Sequence, residues 1–260
     1  IGAMAVKVHK NTTSDSLLSG QDVKPWLAGL SAVATNNSGF MFVGQIGFTY
    51  AYGLSSIWLM VGWILGDYLT SLFVHRRLRE VTEEENVLSF AGLLSNWGGH
   101  DYKYVRLVAG LITLAFLSLY AGAQLNAGSK ALHVLFGWTY GAGAIIGAII
   151  VVIYCFAGGL RASIWSDAAQ SIVMFFAMLL MCIVSVQAAG SLSEFWQGLN
   201  NVSASYMNFT PPDRVFGPPI GVIMFVFGWL FAGVCVIGQP HIMVRFMAMD
   251  DAKNMRKTRM

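Results

Sequence analysis

Between Pro25 and His75 the chain carries no Lys, Arg or Glu, and its one acid there is Asp67. As helix rising about 1.5 Å per residue, such a run is long enough to cross the roughly 30 Å hydrocarbon core of a bilayer and return. A soluble domain would need charged faces that this stretch does not have. The whole chain agrees: of its 260 residues 56% are hydrophobic and 11% charged, against about 25% charged in soluble domains. The expected fold class is an all-α integral membrane protein.

Six apolar stretches can span, at 25–53, 55–73, 105–133, 140–156, 166–188 and 220–246, and 1–6 reads as the tail of one further helix. Gly53-Leu54 leaves no room for a loop, so the first two stretches form a tight hairpin. The segment 88–97 reads as a short interfacial helix. The segment 190–219 is the large external loop, with a short helix at 192–201 and Pro211-Pro212 and Pro218-Pro219 as stiff punctuation. Alternating crossings put every Lys and Arg except Lys130 and Arg214 on one side, including Arg161 in a short loop. The positive-inside rule makes that side cytoplasmic. The chain is therefore read as a multi-pass protein of a plasma (bacterial inner) membrane, with the lipid bilayer as its first partner.

Several function classes drop out. The basic residues form no single face, so nucleic acid is not an expected partner. There is no HExxH, no Gly-rich phosphate loop and no nucleophile elbow, and the five histidines are scattered. The expectation is no enzyme and no organic cofactor. Cys155, Cys182 and Cys235 lie in apolar runs without metal spacing and read as small buried side chains.

Four constellations remain. Ala34-Thr35-Asn36-Asn37-Ser38-Gly39 is an uncharged polar knot inside the first span. Hydrocarbon does not tolerate unsatisfied backbone, so helix-weakening residues at mid-depth point to a helix that opens around a ligand. Freed carbonyls suit a hard cation such as Na+. Close packing through small and hydroxyl residues is the other reading. In YCFAGGLRASIWSDAAQ, at 154–170, Asp167 is either an acid favoured by the helix dipole or a cation way-station at the inner mouth. Asp67 is expected to pair with a nearby arginine. In the last span Pro240 kinks the helix and Gln239 and His241 set polar groups beside the bend. Tyr120 and Gln124, spaced i and i+4, share one face of the third span near mid-depth.

These motifs together resemble the sodium/solute symporter family, most closely its sodium/proline branch. The matching pieces are SAVATNNSGF at 31–40, FAGGLRASIWSDAAQ at 156–170 and GQPHIMVRFMA at 238–248, in the family's order. The resemblance implies an inverted-repeat, LeuT-like transporter fold. On that template 1–260 is a single transmembrane domain truncated at both ends. The stretch 25–188 forms the first five-helix repeat and 220–246 opens the second. The resemblance further implies a Na+ site using the backbone carbonyls of Ala34 and Asn37, with Asn36 and Ser38 beside it and Asp167 on the inner ion pathway. Asn36 stands where the proline branch typically has an aspartate. A solute pocket is implied at Tyr120 and Pro240, with Gln124 and Gln239 beside them. Two of its aromatic positions are filled here by Ala232 and Val236, with Trp229 one turn away.

The functional expectation is a sodium-coupled symporter that imports a small organic solute, proline or another amino acid, by alternating access. The rival, from another class, is the symporter-like membrane module of a sensor protein. A kinase or receiver module in the rest of the protein would distinguish it.

Overall fold

The computed structural model describes residues 5, 8, 10, 12–211, 216–217 and 219–258. Most of the expected helix tail at 1–6, with Lys7, Pro212, Arg214, Pro218 and Arg259, lies outside the described residues. In chain order the helices are α1 (Thr13–Leu18), α2 (Pro25–Asn36), α3 (Ile46–Tyr52), α4 (Ile57–Thr70), α5 (Arg76–Glu84), α6 (Phe90–Ser95), α7 (Lys103–Phe136), α8 (Tyr140–Ala189), α9 (Leu192–Val202), α10 (Ile220–Val234), α11 (Pro240–Met247) and α12 (Met255–Thr258). Two-residue strands β1 (Asn96–Trp97) and β2 (His100–Asp101) make a small antiparallel hairpin.

Among the described residues four helical segments are long and apolar enough to cross a membrane: Val43–Glu84, Lys103–Phe136, Gly158–Ala189 and Ile220–Gly238. Tyr140–Ile153 is a shorter apolar helix. Along α7 large apolar side chains such as Leu107, Leu111, Leu114 and Phe116 are exposed, as expected of a surface solvated by lipid.

The chain divides into two compact units. One comprises Ile1–Phe42, Ser71–Ala169 and Ile237–Met260; the other comprises Val43–Thr70 and Gln170–Val236. In the second, α4 and α10 lie together, with Trp63 stacked on Trp229 at 6.1 Å between ring centroids. Gly62 admits that approach: a Cβ there would sit 2.6 Å from the Val226 carbonyl oxygen. The hairpin between α3 and α4 turns at Gly53 (φ 66°, ψ −141°), against the Tyr206 backbone. Small-residue contact of this kind is the usual way helices approach closely in lipid.

The structure departs from the sequence expectations at several places. The first span does open, since α2 stops at Asn36 and Asn37 leaves helical geometry (ψ 82°). The last stretch is a full break and not a bend. After α10 a tight turn covers Cys235–Gly238, Gln239 is extended (φ −101°, ψ 100°), and Pro240 starts α11. Proline fits there because a first-turn residue needs no amide donor. The stretch 55–73 continues past its expected end through a wider turn at Ser71–His75 into α5. Ion pairs such as Arg76–Glu80, at 2.8 Å, support that polar helix. The short helix expected within 88–97 forms as α6, and the hairpin that follows it was not expected, with the positive-φ residues Gly98 and Gly99 making its turn. Cys182 and Cys235 are exposed, not buried, because the apolar helices that carry them offer that face to lipid. Asp67 makes no ion pair among the described residues; α10, which packs on its helix, contains no basic residue.

The largest difference is at Arg161. The expected turn at Gly158-Gly159 is there, since Gly159 (φ 55°, ψ −150°) leaves helical geometry and kinks α8 into two helical halves, but helix resumes at once and no longer loop follows. Arg161 is in the helix and buried.

Candidate ion and solute site

Four helices of the first unit each bring an i, i+4 pair to the same region: Ser31 and Thr35 from α2, Tyr120 and Gln124 from α7, Ser163 and Asp167 from α8, His241 and Arg245 from α11. Residues four apart share a helix face, so each pair presents two chemistries to one place.

The break after α2 is the centre. In a continuous helix the Ser38 amide would bond the Ala34 carbonyl and the Met41 amide would bond that of Asn37. Here the Ser38 amide turns to Asn36 O at 2.9 Å and the Met41 amide to Ser38 O at 2.9 Å. Neither the Ala34 nor the Asn37 carbonyl receives its helical amide. The Gly39 amide is taken up from outside the segment by Gln124 Oε1, at 2.5 Å. A Cβ on Gly39 would lie 2.6 Å from Ala127 Cβ, so glycine is what lets the resumed helix approach α7.

Gln124 is therefore the cap of the broken helix. Removing it as Gln124→Ala should leave the part-buried Gly39 amide unsatisfied, at about 1–3 kcal/mol. Gln124→Glu keeps an acceptor and should fall short of that loss. Thermal unfolding of the detergent-solubilised full-length protein measures the difference; equal stability for the alanine variant would remove the capping role.

Above the cap, the Tyr120 ring lies 4.9 Å from that of His241. Both ring nitrogens of His241 are buried with no hydrogen-bond partner among the described residues. Buried polar atoms without partners are rare, and they mark places where a ligand is accommodated. Pro240 and Gln239 lie directly before His241 at the start of α11. Val236 is buried in the preceding turn, and Trp229 belongs to the packed face of α10 in the second unit.

One turn inward of the break, four donors converge on a single oxygen, Asp167 Oδ2. They are Ser31 Oγ at 2.8 Å, Thr35 Oγ1 at 3.3 Å, Ser163 Oγ at 3.4 Å and Arg245 Nη2 at 3.0 Å. The ion pair is largely enclosed, with side-chain exposures of 9% for Arg245 and 15% for Asp167. Arg245 is itself held by Ser31, by Ser163 and by the His241 carbonyl oxygen. Asp167 is thus not a first-turn capping acid. It lies about two turns past the kink at Gly159, beyond the first turn in which a helix end favours an acid, so the helix-dipole explanation for this position does not apply.

Sequence reasoning named the break with Thr35 in it, Tyr120, Gln124 and Asp167, and it missed Arg245, Ser31 and Ser163. The signal was available in the i, i+4 spacing of Ser31 with Thr35, Ser163 with Asp167, and His241 with Arg245. Asn36, also named, ends α2 beside the unwound residues. Among the described residues no three His, Cys, Asp or Glu side chains gather as a metal cluster. The oxygens offered at the break are backbone carbonyls and hydroxyls, the donor type that hard cations take.

The model of the sodium:solute symporter family matches residues 17–260. A high-affinity proline transporter of Bacillus subtilis (strain 168) is 33% identical over 260 residues, covering 100% of this chain and 53% of the relative. A sodium/proline symporter of Haemophilus influenzae is 31% identical, covering 100% of this chain and 51% of its own length. The chain thus spans about half the length of the curated relatives it matches. Among solved structures, a substrate-bound, outward-open Na+-coupled sialic acid symporter superposes with a TM-score of 0.77 at 20% identity, over 99% of this chain and 53% of that one. The architecture, the broken helices and the match along nearly the whole chain agree, and this chain belongs to the sodium:solute symporter family.

Proposed function

We propose that this chain forms the ion- and solute-binding part of a sodium-coupled symporter that imports a small organic solute by alternating access. The observation that carries the proposal is the pair of carbonyls, Ala34 and Asn37, that lose their helical amides one turn from Asp167. Na+ would take these carbonyls, with Asn36 and Ser38 beside them, as oxygen ligands. Asp167 would serve the ion on its way inward: its Oδ2 is engaged by four donors, which leaves Oδ1 for a cation. Asn36 lacks the negative charge of an aspartate, so the remaining dipoles hold the ion. Each inward charge moving down about 100 mV contributes roughly 2.3 kcal/mol to uptake.

The solute would lie beside Tyr120, between Ser38 and the start of α11 at Gln239 and Pro240. The unpartnered nitrogens of His241 would meet its polar groups. Proline or another amino acid is the leading candidate because relatives matched along the whole of this chain are proline transporters. In this reading 25–188 is the first repeat, 190–219 the external loop and 220–246 the opening of the second repeat, in a bacterial inner membrane.

The test is Na+-dependent uptake by the full-length protein in proteoliposomes, screened over labelled proline and other amino acids. Saturable uptake that requires an inward Na+ gradient is the expected result, and Asn36→Asp should raise the apparent Na+ affinity. Uptake indifferent to Na+, or absent for every small solute, would overturn the reading.

A further inference from the structure

The segment 12–23 crosses from one element of the candidate pathway to another, and its attachments are unusually well buried for a cytoplasmic edge. Thr12 caps α1 by accepting the Asp15 amide at 3.1 Å. Asp15, fully buried, accepts the Lys10 amide at 2.8 Å on one oxygen and Arg161 Nη2 at 2.5 Å on the other. The same guanidinium donates to the Ser19 carbonyl oxygen at 2.6 Å and reaches Asp22 at 2.9 Å through Nη1. One side chain on α8 therefore holds three successive points of the segment. Arg161 is 7% exposed, Asp15 0% and Asp22 46%. The backbone of Ser16 also lies against Gly159, where a Cβ would come within 2.7 Å of the Ser16 carbonyl oxygen.

The other end of the segment is tied to the chain just after α11. The Val23 amide donates to Ala248 O at 3.2 Å and the Asp250 amide to Val23 O at 3.0 Å. Arg79, almost wholly buried on α5, fixes that receiving strand by donating to Met249 O at 2.7 Å. The two anchor points lie close in sequence to Asp167 on α8 and Arg245 on α11, the pair beneath the broken helix.

We propose that the segment 12–23 is an inner latch, with Arg161 as its keeper: while Arg161 holds Asp15, Ser19 and Asp22, the α8 arm and the end of α11 cannot part, and Asp167 stays closed to the cytoplasm. Opening must strip a buried guanidinium of several charge-assisted hydrogen bonds at once, which makes the closed state cooperative and opening a discrete event. Asp22, half-exposed at the rim, is the contact that water reaches first. Arg161 is a positioning residue here and touches neither ion nor solute. The inference rests on the alternating-access reading above.

The experiment uses the full-length protein in inside-out vesicles, in a cysteine-free background with Ser163→Cys as reporter beside Asp167. Labelling by a membrane-impermeant maleimide reads inner exposure directly and needs no knowledge of the solute. Asp22→Asn should raise the labelling rate roughly threefold, the scale of a half-exposed ion pair. Arg161→Lys keeps the charge and loses the fork, and should raise it roughly tenfold or more. Faster labelling in both variants supports the latch. Unchanged labelling in both overturns it, and if Arg161→Lys fails to insert, unchanged labelling in Asp22→Asn alone overturns it. Uptake by the wild-type full-length protein is measured in parallel. Loss of Na+-coupled uptake there tells against the transport reading, whereas normal wild-type uptake with unchanged labelling in the variants tells against the latch alone.

Discussion

Asp167→Ala in the full-length protein is expected to cost about 3–5 kcal/mol of stability, because it leaves the Arg245 guanidinium enclosed without its counter-charge. The side chains around that charge, Ser31 and Ser163, can accept hydrogen bonds but carry no charge. Asp167→Asn is expected to be milder in stability, since an amide oxygen still accepts from Ser31 and Arg245, and to show its effect in the Na+ dependence of transport. The two roles separate in the double variant Asp167→Leu with Arg245→Met. Replacing both partners of an enclosed ion pair by apolar side chains of similar size is often close to neutral for stability. The double variant should therefore unfold near the wild-type midpoint in detergent and yet transport with a weakened response to Na+. Wild-type Na+ activation in that variant would show that Asp167 serves only its arginine.

The sequence carried the membrane class and the position of the first break, for a physical reason. Hydrocarbon punishes charge and unsatisfied backbone so strongly that apolar runs and the polar residues interrupting them are informative one at a time. What it did not carry is partnership. Arg245 looked like one more cytoplasmic arginine because basic residues were counted by side, and that count is indifferent to whether an arginine is solvated or paired. Its spacing from His241, read beside Ser163–Asp167 and Ser31–Thr35, would have placed all three pairs on inward faces. Gly158-Gly159 reads as a terminator, and Gly159 does break the helical geometry, but helix resumes directly after it, so Arg161 lies in the second helical half and not in a loop. The full break at Gln239–Pro240 was legible only as a kink, since proline tells that a helix cannot continue unbroken but not how many residues around it will be lost. The expected partner of Asp67 did not appear because the helix packed against α4 has no basic residue to offer. A single-sequence reading of α4 could not know which helix that would be.

The α4–α10 pair in the second unit gives the other large expected effect. Gly62 and Gly66 stand four apart on α4 and face α10. A Cβ at Gly62 would lie 2.6 Å from Val226 O and 2.7 Å from Trp229 Cβ, and one at Gly66 would run into the Leu230 carbonyl. Gly233 answers from α10, where a Cβ would come within 3.0 Å of Gly66 Cα. The collisions are with backbone, which cannot step aside as a flexible side chain can, so even a methyl group must push the helices apart. Gly66→Ala is therefore expected to destabilise by about 1–3 kcal/mol and Gly66→Val by more. Gly228→Ala, on α10 itself, is the internal comparison. A Cβ there meets nothing within 4 Å, and relief of glycine's conformational freedom in a helix should make that variant neutral or more stable by about 0.5–1 kcal/mol. Two glycine-to-alanine changes in one helix pair are thus expected to act with opposite sign. Thermal unfolding of the purified full-length protein in detergent reads both. A Gly66→Ala protein as stable as Gly228→Ala would mean that the helices do not approach at Gly66 as closely as the geometry requires.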